Sequence, residues 1–170
     1  MWKFNGQERP PFAEEPGPGQ ESVWDYPRPP ILVSSSSLVE VYSHGCRIAH
    51  SRRTLRVLET ASPPTYYIPA QDIDWSQLVA TTDHSFCEWK GQASYWTTAQ
   101  ADRDTVVGWS YENPSQRFAD IDKHASFYPG RVECYVDGEH VKPQPGEFYG
   151  GWITAAICGP VKGAPKTGHW

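Results

Sequence analysis

The sequence predicts an all-β fold with one or two short helical turns. Three observations lead to this prediction: several short segments alternate apolar and polar residues, turn residues separate these segments, and helical periodicity is scarce. The 14 Gly and 16 Pro among 170 residues also disfavour long helices. Many short strands joined by turns are typical of packed antiparallel sheets.

Two hairpins are predicted most clearly. Residues 38–50 alternate around a turn at His44-Gly45, and residues 131–141 alternate around Asp137-Gly138, a strong turn signal. Both contain the pattern Val-Glu-x-Tyr-x-x-Gly, at an offset of 93 residues. The repeat indicates either an internally pseudo-symmetric β fold or only the ordinary composition of hairpins.

The remaining elements lie between these hairpins. Pro114 to Lys123 is the predicted helix, because Pro114 suits a first helical turn and Phe118 and Ile121 lie three residues apart on one face. A single helical turn is expected within residues 71–78. Five further segments are predicted strands: 55–58, 65–68, 92–98, 105–111 and 124–128.

Residues 23–170 are expected to form a single domain, since a chain of this length suits one core. Residues 1–22 are polar and rich in Pro and Gly, which predicts an extended or mobile N-terminal arm. The tail from Lys142 to Trp170 is expected to be irregular but docked, because it carries apolar anchors such as Trp152 and Ile153.

The charge and hydropathy pattern narrows the expected partners. A net charge of −5 lacks the basic footprint of a nucleic-acid binder. There is no apolar run of the roughly 18 residues that a membrane helix needs. Residues 1–8 contain no apolar stretch typical of a secretory signal. We therefore expect a cytoplasmic protein with a small-molecule ligand and no nucleic-acid or membrane partner; a homodimer is left open.

Motifs for metals and cofactors are missing from the sequence. It contains no Gly-rich phosphate loop, no G-x-S-x-G and no H-E-x-x-H. Acidic pairs such as Asp72 and Asp74 have no nucleotide-binding motif beside them. The cysteines form no C-x-x-C pair and are expected to be free thiols; they are Cys46, Cys87, Cys134 and Cys158. The sequence thus predicts neither a metal nor a cofactor.

The segment from Ser51 to Thr60 combines arginines with a carboxyl group on a strand. Alternation places Glu59 on the same face as Leu55 and Val57. A glutamate among apolar neighbours is a candidate general acid. Arginines beside a pocket bind carboxylates or phosphates, and Arg53 is a candidate for stabilising an oxyanion. Alternatively, these arginines are solvated or paired with nearby carboxylates.

The segment from Asp83 to Gly91 is the densest group of ionisable residues. His84 is a candidate acid or base, and Lys90 is a candidate base, imine former or oxyanion-stabilising cation. Either residue could also activate Cys87 as a thiolate nucleophile. The alternative is an exposed loop with a buried structural cysteine.

The abundant aromatic residues either build the core or line a pocket. Tyr66 and Tyr67 are adjacent on a strand and therefore point to opposite faces, so that at most one of them reaches a given pocket. Ring-lined pockets suit aromatic or polyketide-like molecules. The candidate ligand-binding residues are Tyr67, Cys87, Trp96, Trp109, Tyr111 and Tyr128.

Taken together, these motifs resemble the family called domain of unknown function 427. The resemblance covers roughly residues 21–170, and the motifs that carry it are Arg52-Arg53 through Thr60, Pro63 to Pro69, Asp83-His84 through Trp96, Gly108 to Tyr111 and Ala125 to Tyr128. It implies a β-tent-like fold, in which two small antiparallel sheets meet at an angle near a ligand pocket. The C-x-x-C pairs that hold zinc in some β-tent proteins are missing here. The motif residues carried over are Arg53, Glu59, Tyr67, Cys87, Lys90, Tyr95, Trp109, Tyr111 and Tyr128.

Three functions are compatible with these residues. The first is a metal-free, cofactor-independent enzyme of secondary metabolism that performs isomerisation, cyclisation, dehydration or hydrolysis on an aromatic or polyketide-like metabolite. In it, Glu59 and His84 exchange protons while Lys90 and Arg53 stabilise an oxyanion. The alternative is a module that binds a small molecule or a modified residue in an aromatic pocket without turnover. A third hypothesis is a thiol enzyme based on Cys87.

Overall fold

A computed structural model describes residues 2–100 and 104–170. These residues confirm the all-β class, since they form fifteen strands and only short 3-10 turns. The strands are β1 (Glu21–Ser22), β2 (Ile31–Ser35), β3 (Val39–Ser43), β4 (Cys46–Ser51), β5 (Thr54–Leu58), β6 (Thr65–Pro69), β7 (Leu78–Cys87), β8 (Gly91–Thr98), β9 (Val106–Tyr111), β10 (His124–Phe127), β11 (Glu133–Val136), β12 (Glu139–His140), β13 (Lys142–Pro143), β14 (Trp152–Ile153) and β15 (Ile157–Cys158). The 3-10 turns are Val23–Asp25, Ala70–Asp72, Trp75–Gln77 and Gln116–Ile121.

Two antiparallel sheets form the body of the described chain. The larger sheet has seven strands in the order β2-β5-β6-β10-β9-β8-β7, and the smaller sheet has four in the order β12-β11-β3-β4. Strand β1 pairs in parallel with β15, and β13 pairs with β14. The larger sheet exceeds the small sheet that the family resemblance implies. Its two edge strands, β2 and β7, are not predicted from the sequence pattern.

The two predicted hairpins lie side by side in the smaller sheet. Strand β3 pairs antiparallel with β11, and Val41 lies opposite Cys134. These two residues occupy equivalent positions of the repeated Val-Glu-x-Tyr pattern, so a local two-fold axis passes between them. Both side chains are fully buried. The repeat therefore marks a pseudo-symmetric pair of hairpins.

The inner faces of the two sheets pack directly on each other. Trp152 of β14 is buried against this core and donates its indole N–H to the carbonyl oxygen of Phe127 at 2.9 Å. Side chains of both sheets therefore form the core between them, and a cavity of about 250 Å³ remains where residues of both sheets, such as Tyr66 and Val136, line a common space. The largest contributors to this core are Val39, Val41, Ile48, Tyr66, Ile68, Phe127 and Trp152.

The predicted helix at 114–123 is a 3-10 segment, Gln116–Ile121, with a backbone break at Phe118. Phe118 and Ile121 are fully buried, as their spacing predicts. They pack beside Ala93 and Tyr111 on the outer face of the larger sheet, which is the face turned away from the smaller sheet. Burial of these two side chains, rather than helical propensity, holds the segment in place.

The N-terminal arm packs against the C-terminal tail. Phe4, Phe12 and Trp170 surround the buried Trp24, with ring centroids 5.2, 5.3 and 5.3 Å from it. The backbone N–H of Glu14 donates to the carbonyl oxygen of Gly159 at 2.9 Å. Aromatic contacts and main-chain hydrogen bonds thus join the two ends of the described chain.

Arg53 has a structural partner at the turn between β4 and β5. Its guanidinium donates to the two carboxylate oxygens of Asp72 at 2.7 and 3.3 Å, and the Ser51 hydroxyl donates to Asp72 at 2.6 Å. The hydrogen bond from Arg53, supported by Ser51, holds the pKa of Asp72 below its ordinary value. Arg53 thus ties the β4–β5 turn to the 3-10 turn after β6, away from the outer face of the larger sheet.

We expect Asp72→Asn to lower the free energy of unfolding by about 0.5 kcal/mol at pH 7, because it removes the charge-assisted hydrogen bonds from Ser51 and from Arg53, whose exposed guanidinium is screened by solvent. Since folding depresses the pKa of Asp72, this stabilisation is present above the unfolded value of about 3.9 and is lost as the pH falls through the folded value. Urea unfolding at pH 7 and pH 3 measures the difference. The exposed Asp120→Asn is the control, and a pH-independent loss would contradict this account.

Candidate functional site

A cavity of about 460 Å³ lies on the outer face of the larger sheet. Its size falls within the range of roughly 300–1,000 Å³ that is usual for small-molecule sites. Strands β5, β6, β8 and β9 form its floor, while the arm and the tail form its walls. The family resemblance implies a pocket near the junction of the sheets. The structure places this cavity on the opposite side of the larger sheet, and only a smaller cavity of about 250 Å³ among those described is lined by residues of both sheets.

Strand alternation determines which side chains point into this cavity. On β5 and beyond it, Val57 and Glu59 face the cavity, whereas Arg56 points the other way and donates to Glu21 at 3.0 Å. On β6, Tyr67 lines the cavity and Tyr66 packs between the sheets. The predicted opposition of the two tyrosines is therefore confirmed.

The floor of the cavity is aromatic. The Trp109 indole N–H donates to the Tyr67 hydroxyl at 3.0 Å, and the Trp109 ring lies 4.6 Å from that of Tyr128. Tyr111 lies two residues further along β9, with its ring 6.3 Å from Tyr67. Gly150 of the tail approaches the indole so closely that a Cβ at this position would lie 2.3 Å from Trp109. The tail is thus fitted onto the ring of Trp109, and only glycine allows this approach.

The β7–β8 hairpin supplies one end of the cavity. Ser85 shares a short hydrogen bond with the Tyr95 hydroxyl, and Cys87 and Lys90 line the cavity beyond it. Ser115 holds the turn, because its hydroxyl donates to the carbonyl oxygen of Trp89 at 2.7 Å and its N–H donates to that of Lys90 at 3.1 Å. The segment 83–91, for which an exposed loop was the alternative, is therefore the largely exposed end of one strand, an anchored turn and the start of the next strand.

Lys90 is a cation within this end of the cavity. Its ammonium lies 5.7 Å from the centre of the Tyr111 ring. Burial opposes the charge, but the polar neighbours of Lys90 outweigh burial and raise its pKa; Tyr67 and Cys87 contribute most, and the Glu59 carboxylate adds to them. The ammonium form suits stabilisation of negative charge rather than proton abstraction or imine formation.

The phenols around Lys90 are hydrogen-bond donors at neutral pH. Burial raises the pKa of both Tyr67 and Tyr111 above the usual range of tyrosine. Burial also raises the pKa of Tyr128 to about 12. Neutral phenols beside an ammonium can stabilise an oxyanion without first losing a proton.

Glu59 contributes a carboxylate to the lining of the cavity. Its Oε1 lies 3.3 Å from Nε of Arg28, which is itself almost fully buried. The other two guanidinium nitrogens of Arg28 donate to the carbonyl oxygens of Phe4 and Thr60 at 2.8 and 2.9 Å. Arg28 is thus held rigidly by the arm and by the residue after Glu59, and it fixes the carboxylate.

The opposite end of the cavity contains Lys162. Its ammonium lies 3.9 Å from the centre of the Trp2 ring and 5.3 Å from that of Tyr149. The buried Gln144 holds this segment, because it donates to the carbonyl oxygen of Lys162 at 2.7 Å and accepts from the N–H of Gly151 at 3.0 Å. One amide side chain therefore ties together two parts of the tail at the cavity wall.

Most of the predicted site residues meet at this cavity. Seven of the ten line it: Glu59, Tyr67, Cys87, Lys90, Trp109, Tyr111 and Tyr128. The structure places the other three elsewhere. Arg53 is paired with Asp72, as described above.

His84 and Trp96 lie away from the cavity for the same reason, which is strand alternation. His84 is exposed on β7 and precedes Ser85, which takes the cavity face. Trp96 follows Tyr95 and points toward the smaller sheet, where its indole N–H donates to Ser110 at 3.0 Å and its ring packs 4.9 Å from Trp75. His84 is therefore not placed to activate Cys87, and the Cys–His arrangement is not assembled.

The sequence pattern does not predict the wall residues that come from the segment after the arm and from the tail. Arg28, Gln144, Tyr149 and Lys162 line the cavity but stand in segments that show no strand periodicity. The available signal was the Gly150-Gly151 pair, which indicates close approach of a backbone to other groups as well as a turn.

Two kinds of feature are absent from the described residues. Within residues 2–100 and 104–170, no group of three or more His, Cys, Asp or Glu side chains is arranged to hold a metal ion. Over the same residues, the structure contains no helix with the length and apolar character needed to cross a membrane.

Comparison with known families agrees with the resemblance seen in the sequence. Residues 31–138 match the family described as Domain of unknown function (DUF427). No curated protein matches the chain. The match includes Glu59, Lys90 and the aromatic floor of the cavity, whereas Arg28 and Lys162 lie outside it. Because the match spans more than half of the sequence, the chain belongs to the DUF427 family.

Proposed function

We propose that this protein is a small-molecule enzyme that performs acid/base chemistry in the outer-face cavity, without a metal or a cofactor. The observation that carries the proposal is that the carboxylate of Glu59 and the ammonium of Lys90 line one ring-walled cavity together with buried phenols. A base, a cation and a shaped pocket are sufficient for isomerisation, cyclisation, dehydration or hydrolysis.

The proposed roles follow from charge. Glu59 removes a proton from a carbon next to a substrate carbonyl, and the electron pair moves onto the carbonyl oxygen. Lys90 and the phenols of Tyr67 or Tyr111 stabilise that oxyanion. Glu59 then returns the proton to another atom of the substrate, which gives an isomer, or to a leaving hydroxide, which gives water and a dehydrated product.

The proposed substrate is an aromatic or polyketide-like metabolite. The half-buried rings of Tyr95 and Tyr128 offer surface to a flat molecule, and the buried rings of Tyr67 and Trp109 support the floor behind them. The cavity holds such a molecule close to Glu59. Positioning of this kind converts a weak acid/base pair into an effective one, because the reacting atoms are already in place.

A second function is favoured by one observation. Glu59 is already ion-paired with Arg28, so its carboxylate has a partner before any ligand enters. If this ion pair keeps Glu59 from acting as a base, the cavity binds a small molecule or a modified residue without turnover. The two functions predict different effects when the Glu59 carboxylate is removed. An enzyme loses turnover, whereas a binding module keeps its affinity.

We expect the wild-type protein to accelerate hydrogen–deuterium exchange at the methylene group of phenylacetone, and Glu59→Gln to reduce this rate by about 10². Phenylacetone is a neutral aromatic ketone, and proton NMR in deuterated buffer follows its exchange. Glu133→Gln, at an exposed position on β11, serves as the matched control. Binding of phenylacetone without exchange above the buffer rate would exclude the enzyme and leave the binding module.

We expect Lys90→Met to reduce the same exchange rate by about 10² while the dissociation constant for phenylacetone changes less than about threefold. The reason is that an oxyanion-stabilising cation acts on the transition state rather than on the neutral ketone. NMR exchange rates and calorimetric titration separate the two quantities. Lys142→Met, at an exposed position on β13, is the control. An unchanged rate in Lys90→Met would contradict the assigned role.

A further inference from the structure

Cys87 is a nucleophilic side chain that the proposed acid/base roles do not use. It is a half-buried free thiol at the end of β7, and it lines the cavity. It packs against the cluster of floor side chains that includes Tyr67 and Tyr111. The other three cysteines do not line this cavity. A sulfur that faces a ligand cavity can bond covalently to the molecule bound there.

The hairpin between β7 and β8 places a cation beside this sulfur. Cys87 lies opposite Gly91, so that residues 88–90 form the turn and Lys90 directly precedes the residue opposite Cys87. Lys90 lines the same end of the cavity, with its ammonium 5.7 Å from the centre of the Tyr111 ring. Ser115 anchors the turn, because its N–H donates to the carbonyl oxygen of Lys90 at 3.1 Å. The spacing between the thiol and the ammonium is therefore fixed by the backbone.

Tyr111 adds a second hydrogen-bond donor on the same side of the cavity. The residue is only 7 % exposed, and it lines the cavity. Within residues 2–100 and 104–170, its hydroxyl donates to no protein oxygen, unlike those of Tyr26 and Tyr42, which donate to carboxylates. It interacts instead with Cys87. The phenol is therefore available to an oxygen atom of a ligand.

A nucleophile beside two donors is suited to addition to a conjugated carbonyl compound. In such an addition the sulfur attacks one end of the conjugated system, and negative charge develops on the carbonyl oxygen at the other end. An ammonium and a neutral phenol both stabilise that charge. Cys87, Lys90 and Tyr111 supply these three groups within one cavity.

We propose that Cys87 adds to the β carbon of an aromatic α,β-unsaturated carbonyl compound, whose oxygen is held by the Lys90 ammonium and the Tyr111 hydroxyl. The thiol first gives its proton to water. The sulfur electron pair then forms the S–C bond, and the electrons of the double bond move onto the carbonyl oxygen. The α carbon takes a proton from water, so S–H is added across C=C without an oxidant or a leaving group. The proposal rests on the proposed function only in using the same cavity and the same oxyanion donors.

The surroundings of Cys87 favour addition over acyl transfer. Acyl transfer needs an acid that protonates the leaving group, a role that histidine often fills. His84 is exposed on the face of β7 opposite to that of Ser85. Addition needs no such group, because nothing leaves. The half-buried rings of Tyr95 and Tyr128 offer surface to the aromatic part of the compound.

The test compares two reagents at two cysteines of the same molecule. The full chain reacts at pH 7 with 4-phenylbut-3-en-2-one or with iodoacetamide, which displaces iodide and develops no enolate. Peptide mass spectrometry follows the adducts at Cys87 and at Cys46, a half-buried free thiol outside the cavity. We expect the enone to react at least about 10² faster at Cys87 than at Cys46, because the ring is positioned and the oxyanion is stabilised.

For iodoacetamide we expect the two cysteines to differ by less than about tenfold, because only the thiols themselves matter. Equal enone rates at the two cysteines overturn the proposal. The same excess at Cys87 for both reagents overturns the assignment of a carbonyl compound, since the sulfur is then merely more reactive.

Variants assign the effect to the two donors. Lys90→Met is expected to lower the enone rate at Cys87 by about 10², and Tyr111→Phe by about tenfold, with smaller changes for iodoacetamide. Lys142→Met, at an exposed position, is the control. If Lys90→Met does not fold, as judged by circular dichroism, Tyr111→Phe decides alone. Unchanged ratios of the enone rate to the iodoacetamide rate overturn the proposal.

The outcome is separable from that of the acid/base proposal. Phenylacetone has no conjugated double bond next to its carbonyl group, so its hydrogen–deuterium exchange does not report on addition of Cys87. Failure of the exchange with intact addition at Cys87 would remove only the acid/base function. Exchange without addition at Cys87 would remove only the nucleophile.

Discussion

The larger sheet is covered on both faces, and this constraint organises the whole molecule. One face packs on the smaller sheet through Tyr66, Ile68 and Phe127. Because side chains alternate along a strand, the residues between them must point to the outer face, where Tyr67 and Trp109 form the floor of the cavity. The packed core thus holds the outer-face side chains in fixed positions. A site built on strands that are packed in this way is preorganised.

The charges of the cavity are divided between two parts of the chain. The part that matches the family contributes Glu59, Lys90 and the phenols, which are the groups suited to chemistry. The segment between the arm and β2 contributes Arg28, and the tail contributes Lys162. Since Arg28 pairs with Glu59, the flanking segments also fix the proposed base. The family part is therefore complete as a sheet, whereas the cavity depends on the flanking segments.

The sequence predicts the parts of this arrangement that depend on local periodicity. Alternation correctly separates Tyr66 from Tyr67 and places Glu59 with Val57, and the repeated hairpin pattern marks the pseudo-symmetric pair around Val41. Alternation alone does not show which face of β7 and β8 meets the cavity. His84 and Trp96 are therefore assigned to the site from the sequence, although Ser85 and Tyr95 occupy that face. Arg28 and Lys162 are brought to the cavity by long-range packing of irregular segments, for which no local pattern exists.

We propose the cavity on the outer face of the larger sheet as the site at which this protein acts. A crystal structure of the full chain with phenylacetone would locate the bound ligand. The proposed roles require the phenyl ring to lie against the aromatic floor and the methylene carbon to lie about 3–3.5 Å from a carboxylate oxygen of Glu59. Density for the probe at another surface, or a cavity closed by protein side chains in the crystal, would contradict it.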